Sequence, residues 1–276
     1  MTRGHAEEAR RATELPSALT AFDEITASLG RRRPAMFFDY DGTLTPIVSQ
    51  PEDAILSDFM REALAQLSQL CTVAIVSGRD RADVEPLVSL DGLVYAGSHG
   101  FDIKGPAGLR LEHEGGRAVL ADLDRAEREL NERLETVRGA RVERKRFAIA
   151  NHYRNVAEAD VPQVEQAVRE VLGKHDRLRM SGGKKVYELR PDIDWEKGQA
   201  VLWLVKALGL AADETLAFYV GDDVTDEDAF RALAAQGVGI VVGAPAYRTH
   251  ATYRLKDTDE VRSFLERMIR LLRGRQ

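Results

Sequence analysis

The chain has 276 residues, enough for one large domain or for a core with a second, smaller one, and ample for a hydrophobic interior. Hydrophobic residues make up 44% and charged residues 30%, the balance of an ordinary globular protein rather than a disordered chain. The formal charge of -6 argues against wholesale nucleic-acid binding, and no apolar stretch approaches the length of a membrane span.

Residues 1–33 are polar and partly helical in pattern. Their opening, "MTRGHAEEARRATELP", mixes acids with bases and has no apolar centre, so it does not read as a secretory signal. Cytoplasmic is the default location, and a monomer the default state. The short basic runs Arg31–Arg33 and Arg144–Arg146 read as solvated edges. Ala21 to Leu29 predicts a short amphipathic helix before Pro34. "AMFFDY" follows, a continuous apolar run ending in acid, hence a buried strand. "DFMREALAQLSQL" has apolar residues at helical spacing. Cys71, the single cysteine, excludes an internal disulfide and reads as an inert thiol before the strand "TVAIV". "RADVEPLV" predicts a helix and "LVYAGSHG" a third strand. Strands alternating with helices predict a parallel sheet with right-handed crossovers.

The texture changes near Lys104. "KGPAG" is turn material. Ala118 to Val137 predicts one long charged helix, and "ARVERKRFAIANHYRN" one or two strands with an exposed polar face. "EADVPQVEQAVREVLG" reads as a helix, and "LRMSGGKKVYELRP" as a hairpin turning near Gly182-Gly183. After Pro191 the parallel pattern resumes, ending in a helix from Val261 to Leu272. The expected organisation is therefore an N-terminal segment, 1–33, a Rossmann-like α/β core, 34–104 with 191–276, and an inserted α/β domain, 105–190.

Ligands of open parallel sheets bind beyond the carboxyl ends of the strands. Asp39 with Asp41, Ser77, Lys197, and Asp222 with Asp223 stand at such ends, and each has a plainer alternative. Ser77 has the place of a helix N-cap, which is also the geometry that holds an anion. With Asp194 as N-cap, Lys197 falls in a first helical turn, where a cation opposes the helix dipole unless an anion sits there. In "GDDVTDED", Thr225 and Asp228 have capping-box spacing, which leaves Asp222 and Asp223 unexplained. Carboxylates gathered at a buried edge call for a cation, and oxygen ligands alone point to Mg²⁺. Asp39 and Asp41, two apart, are expected on one side of the strand end unless the loop turns one away. An ionised Asp39 needs no base to be a nucleophile, only relief from the charge of a phosphate ester. Asp41 can then give a proton to the departing oxygen and take one from water.

"DYDGT", "SGR", "WEKG" and "GDDVTDED" resemble, in order, the four motifs of the haloacid-dehalogenase-like (HAD-like) phosphatases. The resemblance implies Asp39 as nucleophile, Asp41 as acid and base, and Ser77 and Lys197 as phosphate holders, with Gly78 and Arg79 of the second motif among the substrate-binding residues. It implies Mg²⁺ bound by Asp39, the Asp41 backbone carbonyl and Asp222, with Asp223 and Asp226 in support. The insert looks like the α/β cap of the larger-capped branch. "DYDGTLTPIVSQPEDA", "GSHG", "NHYRN" and "GKKVYELRP" are similar to trehalose-6-phosphate phosphatases. That family implies sugar contacts from Lys184, Glu188, Arg154 and Arg190 of the cap and from His99 and Gly100 of the core; Lys185 is the alternative to its neighbour Lys184, since only one of the two should face the site. The expected substrate is a small sugar phosphate, with neither nucleic acid nor membrane as partner. The plainer readings are a core hydrogen bond for His99, an exposed strand face for Asn151, His152 and Arg154, and cross-strand ion pairs in "KKVYEL". Alternatives are another capped sugar phosphatase, such as a sucrose-phosphate type, a receiver-like phospho-accepting module, or a silent sugar-phosphate sensor.

Overall fold

The structure, a computed structural model, describes residues 9–48, 51–183 and 185–275. The chain divides into two units, one formed by the residues up to Arg110 and from Trp195 onward, the other by Leu111–Asp194. The first holds, whole, seven strands of a sheet in the order Tyr253–Leu255, Gly237–Val242, Thr215–Gly221, Arg33–Phe38, Thr72–Val76, Val94–Gly97, Asp102–Lys104. The first six strands are parallel, and Asp102–Lys104 returns antiparallel beside Val94–Gly97. Strands covered on both faces read as unbroken apolar runs, which is why "AMFF", "TVAIV" and "LAFYV" carry no alternation.

From Arg33–Phe38 the chain steps outward through Thr72–Val76 to Val94–Gly97. It later returns to build Thr215–Gly221 and its neighbours on the opposite side. The direction of winding therefore reverses between Arg33–Phe38 and Thr215–Gly221, and a crevice opens beyond their carboxyl ends. Helices cover the sheet. Asp58–Ser68 starts at Ser57, whose hydroxyl accepts from Met60 N, and Thr258–Arg273 starts at Asp257, whose carboxylate accepts from Glu260 N. The latter buries Val261, Phe264, Leu265, Met268, Ile269 and Leu272 against Met36, Phe38, Ile75, Phe218 and Val220. Each such side chain contributes roughly 1.5–3 kcal/mol by leaving water. Residues 9–32 are part of this packing. Arg10–Arg11 pairs with Arg248–Thr249, and Ala18, Ile25 and Leu29 are fully buried in the same cluster. Cys71 donates weakly to Leu67 O, and burial pushes its thiol up to about 12, so it is inert.

The second unit is a four-stranded antiparallel sheet in the order Arg141–Lys145, Ala148–His152, Val186–Pro191, Leu178–Gly183. Helices Leu120–Leu134 and Val161–Leu172 supply a core of their own, in which Leu123, Leu130, Val164 and Val168 meet Ile149 and Leu189. The helix expected over 118–137 spans Leu120–Leu134, and Val119, at φ -108°, ψ 7°, divides it from a short preceding helix, Glu114–Ala118. One expectation needs correction. Ala148–Asn151 is buried throughout rather than polar on one face. That strand is interior to its sheet, paired on both sides, so even Asn151 is fully enclosed. Among the described residues no helix is long and apolar enough to cross a membrane.

Candidate active site

Asp39 extends the strand Arg33–Phe38 by one residue, its N–H donating to Val220 O at 2.9 Å. The chain then turns sharply. Tyr40 is buried and anchors the turn by donating its hydroxyl to Ala54 O at 2.7 Å. Leu44 N and Thr45 N both reach back to Tyr40 O, and Gly42 takes φ +84°, a conformation that glycine adopts without strain. The two acids therefore part company. Asp39 is 5% exposed and lies against Lys197, whereas the Asp41 side chain is 40% exposed and lies against Arg79. Asp41 accepts both Arg79 Nε and Nη2 at 2.7 Å, a bidentate pair that holds its orientation.

Lys197 is fully buried at the start of the helix Lys197–Ala207, and its Nζ lies 2.7 Å from Asp39 Oδ1 and 2.7 Å from Asp226 Oδ1. Gly198 makes this possible. A Cβ there would fall 2.4 Å from the Asp228 carbonyl oxygen, so only glycine lets the helix approach Glu227–Leu233 this closely. Asp226 accepts four hydrogen bonds. Lys197 and the Tyr219 hydroxyl share Oδ1, and the N–H groups of Asp222 and Asp223 share Oδ2. Asp39, Asp222 and Asp226 each offer an oxygen within 4.8 Å of the others, an all-oxygen cluster that could hold a metal ion. Both Asp226 oxygens already accept two hydrogen bonds each, which makes Asp226 a brace for the cluster. Gly42 again matters, since a Cβ there would lie 2.2 Å from Asp222 Oδ2. Three carboxylates against one ammonium leave an excess of negative charge, which suits a hard divalent cation.

Electrostatics agree. Burial raises Asp39 well above the ordinary carboxylate range; Lys197 pulls it down, while Asp226 and Asp222 push it further up. Burial by itself would lower Lys197, but Asp226 and Asp39 outweigh it and keep the ammonium charged. Arg79 is treated likewise: burial lowers it, and the hydrogen bonds to Asp41 more than restore it.

Ser77 lies at the end of Thr72–Val76 and is 1% exposed. It is not the helix cap that its position suggests. Asp80 occupies the N-cap of Arg81–Val88, and the Ser77 hydroxyl accepts Arg79 N at 3.1 Å instead. The Ser77–Arg79 loop is held from outside by Ser98–Gly100. Ser98 N donates to Arg79 O at 2.6 Å and His99 N to Ser77 O at 2.8 Å. These residues have φ of +49°, +57° and +94°, and Ser98 Oγ secures the turn by donating to Asp80. The His99 ring lies over Gly78, where a Cβ would come within 2.9 Å of it, and Gly100 lies against Ala200 of the Lys197 helix.

Two cap assignments change. The helix opened by Lys197 has Glu196, not Asp194, as N-cap, and Asp223 with Asp226, rather than Thr225 with Asp228, forms the reciprocal box. The acidic run begins its helical turn two residues early because Gly221 leaves room for Asp226, whose carboxyl carbon would lie 2.3 Å from a Cβ there. Exposed Asp223 contributes its backbone N–H and caps Val224 N. Of the residues expected in the cap, Arg154, Glu188 and Arg190 belong to the second unit, and Lys184 lies outside the described residues. Arg154 is exposed, and Glu188 accepts Lys145 Nζ at 2.9 Å. Sequence reasoning missed Tyr219, Thr43, whose hydroxyl reaches Asp222 at 3.4 Å, and Tyr247, whose hydroxyl donates to Asp222 O at 3.2 Å. A phenol inside an otherwise apolar central strand was the signal for Tyr219, because a buried hydroxyl needs a partner.

The model of one protein family, trehalose-phosphatase, matches residues 37–259, which span every element of this site. The chain belongs to the trehalose-phosphatase family. It is thereby an enzyme, a phosphoric monoester hydrolase. A trehalose-phosphate phosphatase of Mycobacterium bovis is 43% identical over 270 residues, covering 96% of this chain and 68% of that protein. Among solved structures, the C-terminal domain of a trehalose-6-phosphate phosphatase from C. albicans superposes with TM-score 0.79 at 25% identity, covering 93% of this chain and 99% of that one. A haloacid dehalogenase-like hydrolase from Bacteroides thetaiotaomicron gives TM-score 0.61 at 15% identity over 86% of this chain and 99% of that one, a likeness of fold alone. Family members therefore share the HAD-like α/β core seen here, built on a largely parallel sheet.

Proposed function

We propose that the chain is a Mg²⁺-dependent phosphatase that hydrolyses trehalose 6-phosphate to trehalose and phosphate. The observation that carries this reading is the Lys197 ammonium seated 2.7 Å from both Asp39 and Asp226 where water is excluded. Two unit charges about 4 Å apart repel by roughly 4 kcal/mol at an effective dielectric of about 20, so an anionic nucleophile needs such a cation to meet an anionic ester. Asp39, Asp222 and the Asp41 backbone carbonyl would hold Mg²⁺, with Asp226 and Asp223 bracing them. When bound, the ion neutralises the carboxylates and polarises the phosphoryl group.

An Asp39 oxygen forms the new bond to phosphorus, and the bond to the sugar oxygen breaks. Asp41 protonates that oxygen as it leaves. It then takes a proton from the water that attacks the phospho-aspartate, which returns Asp39 as a carboxylate. Ser77, Gly78 and Lys197 hold the phosphoryl oxygens. Arg79 orients Asp41 and shares in anion binding. We assign recognition of the sugar to His99 and Gly100 and, in the second unit, to Arg154, Glu188, Arg190 and Lys184, with that unit as the specificity cap.

The test is phosphate release from trehalose 6-phosphate, with Mg²⁺ and with chelator, beside Asp39→Asn and a panel of other sugar phosphates. Chelation should abolish turnover, and Asp39→Asn should lower it by on the order of a thousandfold or more while the protein stays folded. Strong preference for another sugar phosphate would overturn the substrate. Activity surviving the substitution would overturn the mechanism.

A further inference from the structure

We propose that Tyr219 is a positioning residue for the hydrolytic reaction: by sharing Asp226 Oδ1 with Lys197, its hydroxyl sets where the Lys197 ammonium stands against Asp39. This rests on the reading of Asp39 and Lys197 given above.

Tyr219 lies on the central strand Thr215–Gly221, opposite Phe37 on one side and Gly239 on the other, and is fully buried. Its ring makes an edge contact with Phe230, with centroids 5.7 Å apart at 81°. A phenylalanine would make the same contact, so packing does not account for the hydroxyl. The hydroxyl donates to Asp226 Oδ1 at 2.7 Å. The other oxygen of that carboxylate is fixed by the Asp222 and Asp223 N–H groups at 3.0 and 2.9 Å, so Asp226 cannot rotate away.

Lys197 has three N–H bonds. Two are spent on Asp39 Oδ1 and Asp226 Oδ1, and the third remains for a phosphoryl oxygen. The ammonium thus sits in a balance between two carboxylates. Tyr219 satisfies part of Asp226 and so limits its pull. Without the hydroxyl, Lys197 is the remaining donor to Oδ1 among the described residues. In a dry site the full attraction of that oxygen then draws the ammonium off Asp39. Ground-state binding of the ester makes little use of this balance. The charge that develops when phosphorus transfers makes full use of it.

The experiment compares Tyr219→Phe with wild type under saturating Mg²⁺. It reads kcat and KM for trehalose 6-phosphate, inhibition by orthovanadate as the transition-state mimic, and inhibition by inorganic phosphate as the ground-state mimic. We expect kcat to fall about tenfold and vanadate to bind weaker by a similar factor, with KM and the phosphate inhibition constant within about twofold of wild type. KM and both inhibition constants do not depend on how much of the protein is folded, so the comparison survives a loss of stability. Unchanged vanadate affinity would overturn the proposal even if kcat fell, since a purely structural role removes active molecules without altering those that remain. Wild type run alongside keeps the two readings apart. If it hydrolyses the ester and Tyr219→Phe matches it in every constant, only the role of Tyr219 fails; if wild type does not hydrolyse it, the proposed function fails first.

Discussion

Gly42 and Asp222 show how much a single hydrogen in place of a methyl decides at this site. The backbone at φ +84° brings the Gly42 Cα so near Asp222 that a Cβ would lie 2.2 Å from Oδ2. Gly42→Ala should therefore cost about 1–2 kcal/mol of stability from the left-handed backbone and also displace the carboxylate. Calorimetric titration of Mg²⁺ into this variant should show weaker binding than in wild type. Arg79 is equally specific. Its planar fork grips both Asp41 oxygens, and a lysine could not do so.

Among the elements, the helix Lys197–Ala207 carries the most chemistry per residue. Its first residue supplies the buried cation and its second, Gly198, permits the close packing that delivers it. A side chain at Gly198 meets backbone rather than a movable side chain, so the whole helix must shift. Gly198→Ala is expected to lower kcat by on the order of 10- to 100-fold, because displacement of a catalytic group by about 1 Å has that cost. Steady-state assays with circular dichroism alongside would separate this from unfolding. The opposite arrangement holds at the turn 98–100. There the strain is locked in by two backbone hydrogen bonds to Ser77 and Arg79, which in return hold the loop 77–79 in place.

For the molecule as a whole, metal and folding are linked. On the proposed reading Mg²⁺ would bind only where Asp39 and Asp222 are brought together, so it should stabilise the native state. At a hundredfold excess over its Kd the gain is about 2.7 kcal/mol, a rise of roughly 5–10 °C in the melting midpoint for a chain of this size. Asp222→Asn should remove most of that rise. In the second unit, Glu143 is held down at about 2 from an ordinary 4.5, first by its hydrogen bond to His152, against burial, and then by the nearby Lys145. A lowered carboxylate stabilises the fold above its unfolded value, and this is lost as pH falls from about 4.5 to about 2. Acid unfolding followed by circular dichroism should be shallower across that window in Glu143→Gln than in wild type.

Local pattern was enough for the strands and helices of the parallel core. A strand buried on both faces has to be an apolar run, and an acid after such a run stands out as something other than packing. The resemblance across four short motifs named Asp39, Asp41, Ser77, Lys197 and Asp222; all but Asp39 stand next to a glycine at which a Cβ would meet a neighbouring group. What the residues alone could not settle was anything that depends on a neighbour distant along the chain. Asp39 and Asp41 separate because Tyr40 is anchored to Ala54; Asp226 braces Lys197 because Tyr219 and two N–H groups saturate it; Asn151 is buried because strands pair on both sides of it. Periodicity reports which way a side chain points from its own element. Which group it meets there is decided by the winding reversal beside Arg33–Phe38, and that exists only once the sheet has formed.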